Sequence, residues 1–342
     1  IQDYAEKSIK KIGDKWKSEV TGIIILNPMT GEVNAMASYP TFDLNSFQTE
    51  KNPSIFINPL VENVYEMGSI IKPLTLSAGI DTGAITAKTT YDDKGFILLD
   101  GKKISNFDGI GRGVVNMQVV LNESLNTGAA FAVSKMGNDV FSKYMTNFGL
   151  GELTGIDLPN EAKGIITNLK SPRDIEHATA SFGQGIAMTP IDTVRALASL
   201  ANGGTLIRPH IVTDINYTLG YSKHILPEEQ RTVIKKETSE EITRMLVEAV
   251  DTSLGGGKVK LPHYSIAAKT GTAQIPDPQG SYYQDRILHS FFGYFPAYNP
   301  RFLVFIFTKN PKGARYATET LVSPFIDIAK FLINYYEIPP DR

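Results

Sequence analysis

Apolar positions open the chain at helical spacing. Tyr4, Ala5, Ile9, Ile12 and Trp16 fall on one stripe, with Lys7, Lys10, Lys11 and Lys15 on other faces, which predicts an amphipathic helix with a solvated basic side. The pattern then shortens. Gly22-Ile-Ile-Ile-Leu-Asn-Pro28 and Glu32-Val-Asn-Ala-Met-Ala-Ser-Tyr39 flank the turn Met29-Thr-Gly31 and predict a hairpin. Residues 40–66 are rich in Pro and Asn and read as loop. From Ser69 to about residue 253 helical periodicity dominates, near 69–82, 117–124, 127–136, 138–148, 189–202 and 238–252. Gly137, Gly149 and Asn202-Gly-Gly supply stop signals. Strand patterns return near 263–274, 287–295 and 301–309, the last two joined by Pro296-Ala-Tyr-Asn-Pro300, and a last amphipathic helix covers about 320–337.

A sheet assembled from both ends of the chain, with helices inserted between, predicts an α+β fold rather than a doubly wound one. The whole of 1–342 reads as one domain, its sheet part at about 1–65 and 255–342 and its helical part at about 66–254. The 34 basic and 36 acidic side chains leave a net charge of −2, which gives no electrostatic footprint for nucleic acid. Cysteine is absent, which excludes thiol catalysis, disulfides and Cys-ligated metal. The histidines at 177, 210, 224, 263 and 289 show no metal-ligand spacing. The longest apolar run, Phe302-Leu-Val-Phe-Ile-Phe307, has strand length and is too short to cross a bilayer. The chain begins inside a helical pattern without methionine, and we expect a fragment or processed form.

Three short motifs hold reactive side chains. Ser69-Ile-Ile-Lys72 opens a helical segment after Gly68, so that hydroxyl and amine share one face within a turn. A serine needs a nearby base, and a lysine serves only when burial or a second cation lowers its pKa. Ser124-Leu-Asn126 lies between two helical runs and would present a hydroxyl and an amide together. Lys269-Thr-Gly-Thr272 ends a strand-like run, where one cation and two hydroxyls form a carboxylate-binding row and Gly271 permits close backbone approach. Each alone has a plain structural reading, as a cap, a helix boundary or a strand end. Ser8-x-x-Lys11 also matches the first pattern, on the lysine-rich helix face, and is set aside. The three motifs in this order make up the set shared by penicillin-binding proteins and, with Asp in the middle, class A β-lactamases.

The stretches LNPMTGEVNAMASYPTFDLN, NPLVENVYEMGSIIKP, FGLGELTGIDLPNE, SFGQGIAMTPIDTVRALASLANGG, IAAKTGTAQ and HSFFGYFPAYNPRF extend the likeness over nearly the whole chain. The sequence resembles the transpeptidase domain of class B penicillin-binding proteins, with YEMGS nearer the division-type than the elongation-type enzymes. Ala268 departs from the glycine common in that family before Lys-Thr-Gly. The resemblance implies a roughly five-stranded antiparallel sheet flanked by the terminal helices, with an inserted all-α subdomain, as in serine β-lactamases and penicillin-binding proteins. It implies an extracytoplasmic domain whose membrane helix and pedestal domain lie outside this chain.

The same resemblance implies a mechanism without metal or cofactor. Ser69 attacks the penultimate D-Ala carbonyl of a peptidoglycan stem peptide, and Lys72 takes its proton. Ser124 relays that proton, Asn126 holds Lys72 and the substrate amide, and the N–H groups of Ser69 and Thr272 form the oxyanion hole. Lys269, Thr270, Gly271 and Thr272 bind the terminal carboxylate, and Lys269 helps keep Lys72 neutral. An amine of a neighbouring stem takes the acyl group, and β-lactams acylate Ser69. Implied partners are a membrane glycosyltransferase and other cell-wall synthesis proteins.

A hydrolase on the same scaffold, a β-lactamase or D,D-carboxypeptidase, is the first alternative, but Glu161 lacks the sequence neighbours of a water-activating base. A β-lactam sensor or silent scaffold is the second, against which all reactive positions are present. Gly255-Gly-Gly-Lys258 lacks phosphate-loop spacing, Ser181 has no lysine three residues on, Gln184 is at most a supporting residue, and Tyr282-Tyr283 reads as loop packing or groove lining.

Overall fold

The computed structural model describes residues 1–342. Five antiparallel strands form the central sheet: β1 (Val20–Leu26), β2 (Val33–Tyr39), β3 (Ala267–Pro276), β4 (Tyr282–Phe295) and β5 (Phe302–Lys309), in spatial order β3-β4-β5-β1-β2. The first and last thirds of the chain therefore meet in the middle, where Val20 pairs with Lys309 and Leu26 with Leu303. The run Ile23-Ile-Ile-Leu26 is continuous rather than alternating because both faces of β1 are covered. Ile23 and Ile25 turn to one face with Phe291, Phe295, Val304 and Ile306, against helices α1 (Gln2–Trp16) and α10 (Val322–Tyr335). Tyr4 stacks on Phe331 at 3.9 Å between ring centres and joins these helices. Ile24 and Leu26 turn to the opposite face with Phe292, Tyr294, Phe305 and Phe307 and join the larger core beneath the inserted helices.

The insert contains α2 (Lys72–Asp81), α3 (Met117–Asn122), α4 (Asn126–Met136), α5 (Asn138–Asn147), α6 (Asp174–Ala180), α7 (Pro190–Ala201) and α8 (Lys236–Thr252). The short helix α9 (Ala317–Thr320) precedes α10. The helical runs read from periodicity all appear. The insert is not purely helical, however. Four two-stranded ribbons punctuate it, pairing Thr90–Asp93 with Gly113–Asn116, Phe96–Leu99 with Lys102–Ser105, Thr205–Ile207 with Glu229–Thr232, and Asp214–Asn216 with Ser222–His224. Strands of three or four residues are too short to show a period in the sequence.

Two buried polar hubs lock the helices together. Asp81 at the end of α2 accepts hydrogen bonds from Tyr144 Oη of α5 and from the Lys235 amide and Thr238 Oγ1 at the start of α8, each at 2.7 Å. Arg195 of α7 bonds Asp192 at 2.9 Å and the carbonyls of Gly149 and Leu153 at 2.8 and 3.1 Å. No helix is long and apolar enough to cross a membrane.

The extra methyl at Ala268 is accommodated across the sheet. Ala268 pairs with Gly293 of β4, and a Cβ built on Gly293 would stand 2.8 Å from Ala268 Cβ and 2.6 Å from the Phe325 ring. Glycine at 293 thus leaves the room that alanine at 268 fills.

Candidate active site

The chain ahead of Ser69 is tied down at every residue. Tyr65 exchanges backbone hydrogen bonds with Met188, Met67 O accepts from Ser290 Oγ at 2.7 Å, and Gly68 N–H donates to Gly183 O. Gly68 has φ +66°, and a Cβ on it would lie 2.9 Å from Thr272 O, so only glycine lets this turn sit against β3. Ser69 follows in a 3-10 turn, Gly68–Ile71, and α2 begins at Lys72 with Pro73 in its first turn. The helix expected from residue 69 therefore starts three residues later. Ser69 is part-exposed, whereas Lys72 is fully buried.

Ser124 lies in the short connection between α3 and α4 with φ +55°, an unusual backbone conformation for serine. Lys72 Nζ donates to Ser124 O at 2.5 Å and to Ser124 Oγ at 3.1 Å. Lys269, on β3 and 5% exposed, donates to the same Ser124 Oγ at 2.9 Å and to Thr270 O at 3.1 Å. Two lysines thus converge on one hydroxyl. The Ser69 hydroxyl is hydrogen-bonded to neither lysine nor to Ser124, and catalytic hydrogen bonds often tighten only once substrate is bound.

The electrostatics follow from this burial. Desolvation drives the Lys72 pKa well below the usual lysine range, and the nearby Lys269 lowers it further. Burial lowers the Lys269 pKa to about 7. Repulsion between the lysines, expected from the sequence as the device that keeps Lys72 neutral, is the smaller cause, and desolvation is the larger.

Asn126 differs from expectation. Its Nδ2 donates to Ser105 O at 2.9 Å, at the end of a ribbon strand, and Lys72 is held by Ser124 instead. Neighbouring Asn106 and Asp93 bond Thr127 at the start of α4, so this ribbon is fastened to the Ser124–Asn126 turn. Across the groove, Thr272 Oγ1 accepts the Ala317 amide at 3.2 Å, leaving its own O–H free to donate. Phe107, beyond the ribbon, meets Tyr316, beside Ala317, edge to face at 5.7 Å. This pair joins the two walls of the groove. β3 is the edge strand of the sheet, so alternate backbone groups along Lys269–Thr272 remain without strand partners.

Hydrogen bonds gather Lys72, Ser124 and Lys269, Ser69 stands in the turn just ahead of Lys72, and Thr270, Gly271 and Thr272 lie in the same strand row as Lys269. The sequence assigned Glu66 no role and read Tyr282 only as loop packing or groove lining, yet the two meet beside the site. Tyr282 opens β4 and its Oη donates to both Glu66 carboxylate oxygens, at 3.1 and 3.0 Å. Glu161 caps the amides of Thr154 and Gly155 at 2.6 and 3.0 Å. That role is structural and leaves no general base of the hydrolytic kind at this position.

The chain matches the penicillin binding protein transpeptidase domain family over residues 21–327. It is similar to stage V sporulation protein D of Bacillus subtilis, with 32% identity over 95% of this chain and 51% of that protein. It is also similar to the peptidoglycan D,D-transpeptidase FtsI of Buchnera aphidicola, with 30% identity over 93% of this chain and 54% of that protein. The chain spans about half the length of these relatives. Among solved structures, penicillin binding protein 3 of Mycobacterium tuberculosis in complex with aztreonam superposes with a TM-score of 0.91, at 25% identity, over 100% of this chain and 78% of that one.

Proposed function

This chain belongs to the penicillin-binding-protein transpeptidase domain family, and from that membership we propose that it carries the D,D-transpeptidase centre of a peptidoglycan cross-linking enzyme. The observation that carries the reading is a fully buried Lys72, its pKa far below the usual range, at a hydroxyl shared with Lys269 one short turn from Ser69. A neutral buried amine is a competent base for a serine hydroxyl.

Ser69 Oγ attacks the carbonyl of the penultimate D-Ala, and its proton passes to Lys72. The tetrahedral oxyanion is held by the N–H groups of Ser69 and Thr272, a kind of donor worth about 3 kcal/mol apiece. Ser124 passes the proton to the departing amine of the terminal D-Ala, whose carboxylate is held by Lys269, Thr270 and Thr272, with Gly271 keeping the strand open to it. Asn126, anchored on Ser105, presents its carbonyl oxygen to the substrate amide. The amine of a second stem peptide then attacks the acyl ester, forms the cross-link and frees Ser69. β-Lactams, which mimic the D-Ala-D-Ala donor, acylate Ser69 in the same way and stall there as the ester.

The whole protein acts in this reading on the outer face of the bacterial cytoplasmic membrane, with a glycosyltransferase and other cell-wall proteins as partners. The test is intact-protein mass after incubation with benzylpenicillin. One adduct of the drug's full mass, persisting for hours and absent in Ser69→Ala, is the expected result. Rapid consumption of the drug without a lasting adduct would replace this reading with a β-lactamase. Transfer from a thioester donor to a D-amino acid then separates transpeptidase from sensor.

A further inference from the structure

Glu66 is a half-buried carboxylate without a cation. Its two oxygens accept the Tyr282 hydroxyl, and the Gly185 amide donates to it as well. No lysine, arginine or histidine contributes to its surroundings. A carboxylate offers about four acceptor directions, so part of its capacity is left over. Withdrawal from water without a counter-charge is costly, and buried charges are ordinarily paired. Burial accordingly raises its pKa to about 7.

The position of this carboxylate follows from the register of the edge strand. Gly68, next to Ser69, abuts Thr272, and four residues further along β3, about 13 Å away, Pro276 pairs with Tyr282. A peptide laid along an exposed strand edge extends at the same rise per residue. In the transpeptidase reading its carboxylate lies at Lys269 and Thr270 and its scissile carbonyl at Ser69. The residues preceding the scissile bond then run from Thr272 towards Pro276. The residue before the penultimate D-Ala is brought to the end of the groove where Glu66 and Tyr282 stand.

We propose that Glu66, oriented by Tyr282, is a specificity determinant of the donor subsite, and that it pairs with a cationic side chain on the residue preceding D-Ala-D-Ala. The inference rests on the transpeptidase reading and adds the residue that reads one substrate position, Glu66. An arriving ammonium supplies the missing counter-charge and draws the carboxyl back towards its ionised form.

The test uses three thioester donors, Nα-acetyl-X-D-Ala-D-thiolactate, with X as Lys, Nε-acetyl-Lys or Glu. In the wild-type chain kcat/KM for the Lys donor is expected to exceed that for the Nε-acetyl-Lys donor by about tenfold, the scale of one partly desolvated charge pair. Glu66→Gln brings that ratio to about one, and Glu66→Lys reverses the preference in favour of the Glu donor. The wild-type comparison needs no variant to fold. Turnover of all three donors at equal efficiency, or a preference that Glu66→Gln leaves intact, would overturn the proposal alone. No turnover of any donor, together with no benzylpenicillin adduct on Ser69, would remove the transpeptidase reading and this proposal with it.

Discussion

Lys72 and Lys269 reach the same hydroxyl from opposite walls of the groove, at 3.1 and 2.9 Å from Ser124 Oγ. Two ammonium groups so placed, both buried, cannot comfortably be charged together. In the proposed mechanism the neutral amine is the base, and the cation stays with the strand row that would receive the carboxylate.

Lys72 carries a cost in stability. In the unfolded chain its amine is protonated at neutral pH, and in the fold it is driven towards neutrality, so unfolding takes up a proton. Stability from this group therefore rises with pH, up to the ordinary lysine pKa. Lys72→Met is expected to abolish the benzylpenicillin adduct while stabilising the fold by about 1–3 kcal/mol at pH 7. Chemical unfolding beside mass spectrometry checks both halves, and a destabilised variant would count against the burial account. Lys11→Ala, on the exposed face of α1, should leave acylation unchanged.

The second lysine makes a pH prediction. Acylation requires neutral Lys72, so its acid limb falls where Lys72 takes a proton. Lys269→Met removes the neighbouring cation, raises the Lys72 pKa and moves that limb to higher pH. Lys269→Arg keeps a charge at that position and should not move the limb upwards. Acylation rates by benzylpenicillin across pH 5–9 (roughly two units either side of neutrality) distinguish the variants. The same upward move in both would sink the charge explanation.

Gly68 controls how closely the nucleophile's turn approaches β3. Gly68→Ala places a Cβ 2.9 Å from Thr272 O at a φ of +66°, so the turn must withdraw. A displacement on the order of 1 Å at a reacting group costs roughly a hundredfold in rate. The expected outcome is a slowed second-order acylation rate with the circular dichroism spectrum unchanged. An unaltered rate would mean that contact with Thr272 does not set the position of Ser69.

Arg195 is the structural counterpart. Both it and Asp192 are about 1% exposed, and its guanidinium also holds the carbonyls of Gly149 and Leu153. Arg195→Met strands a buried carboxylate, and the expected loss is about 3–5 kcal/mol. Urea unfolding measures it. Asp192→Asn combined with Arg195→Met should recover part of the loss, because the stranded charge is gone.

Much of this site was legible because each motif coincides with a local boundary that the sequence marks. Ser69 follows a glycine, Ser124 sits between two helical runs, and Lys269 lies in a strand, although near its start rather than at its end, since β3 runs on to Pro276. The short apolar runs of β1, β4 and β5 likewise exposed the sheet. What escaped was set by partners far away in the chain. Asn126 looks equally suited to Lys72 and to Ser105, and only the ribbon at 96–105 decides between them. Glu66 and Tyr282 are 216 residues apart, and no local period links them. The positive φ of Ser124 and the 3-10 turn at Ser69 are likewise imposed by packing, since neither residue type prefers that geometry.

The antiparallel pairing of Val20 with Lys309 has a temporal meaning. During synthesis β1 emerges well before β5, and until β5 follows it can engage only its hairpin partner β2. The sheet and the edge that would hold a substrate are completed only when the late strands close on the early one. Long-range pairing of this kind folds slowly, since loop closure must precede any reward from contact. Until then the apolar β1 lacks its β5 neighbour. Acylation by a fluorescent penicillin during refolding should appear late, with the last step of assembly.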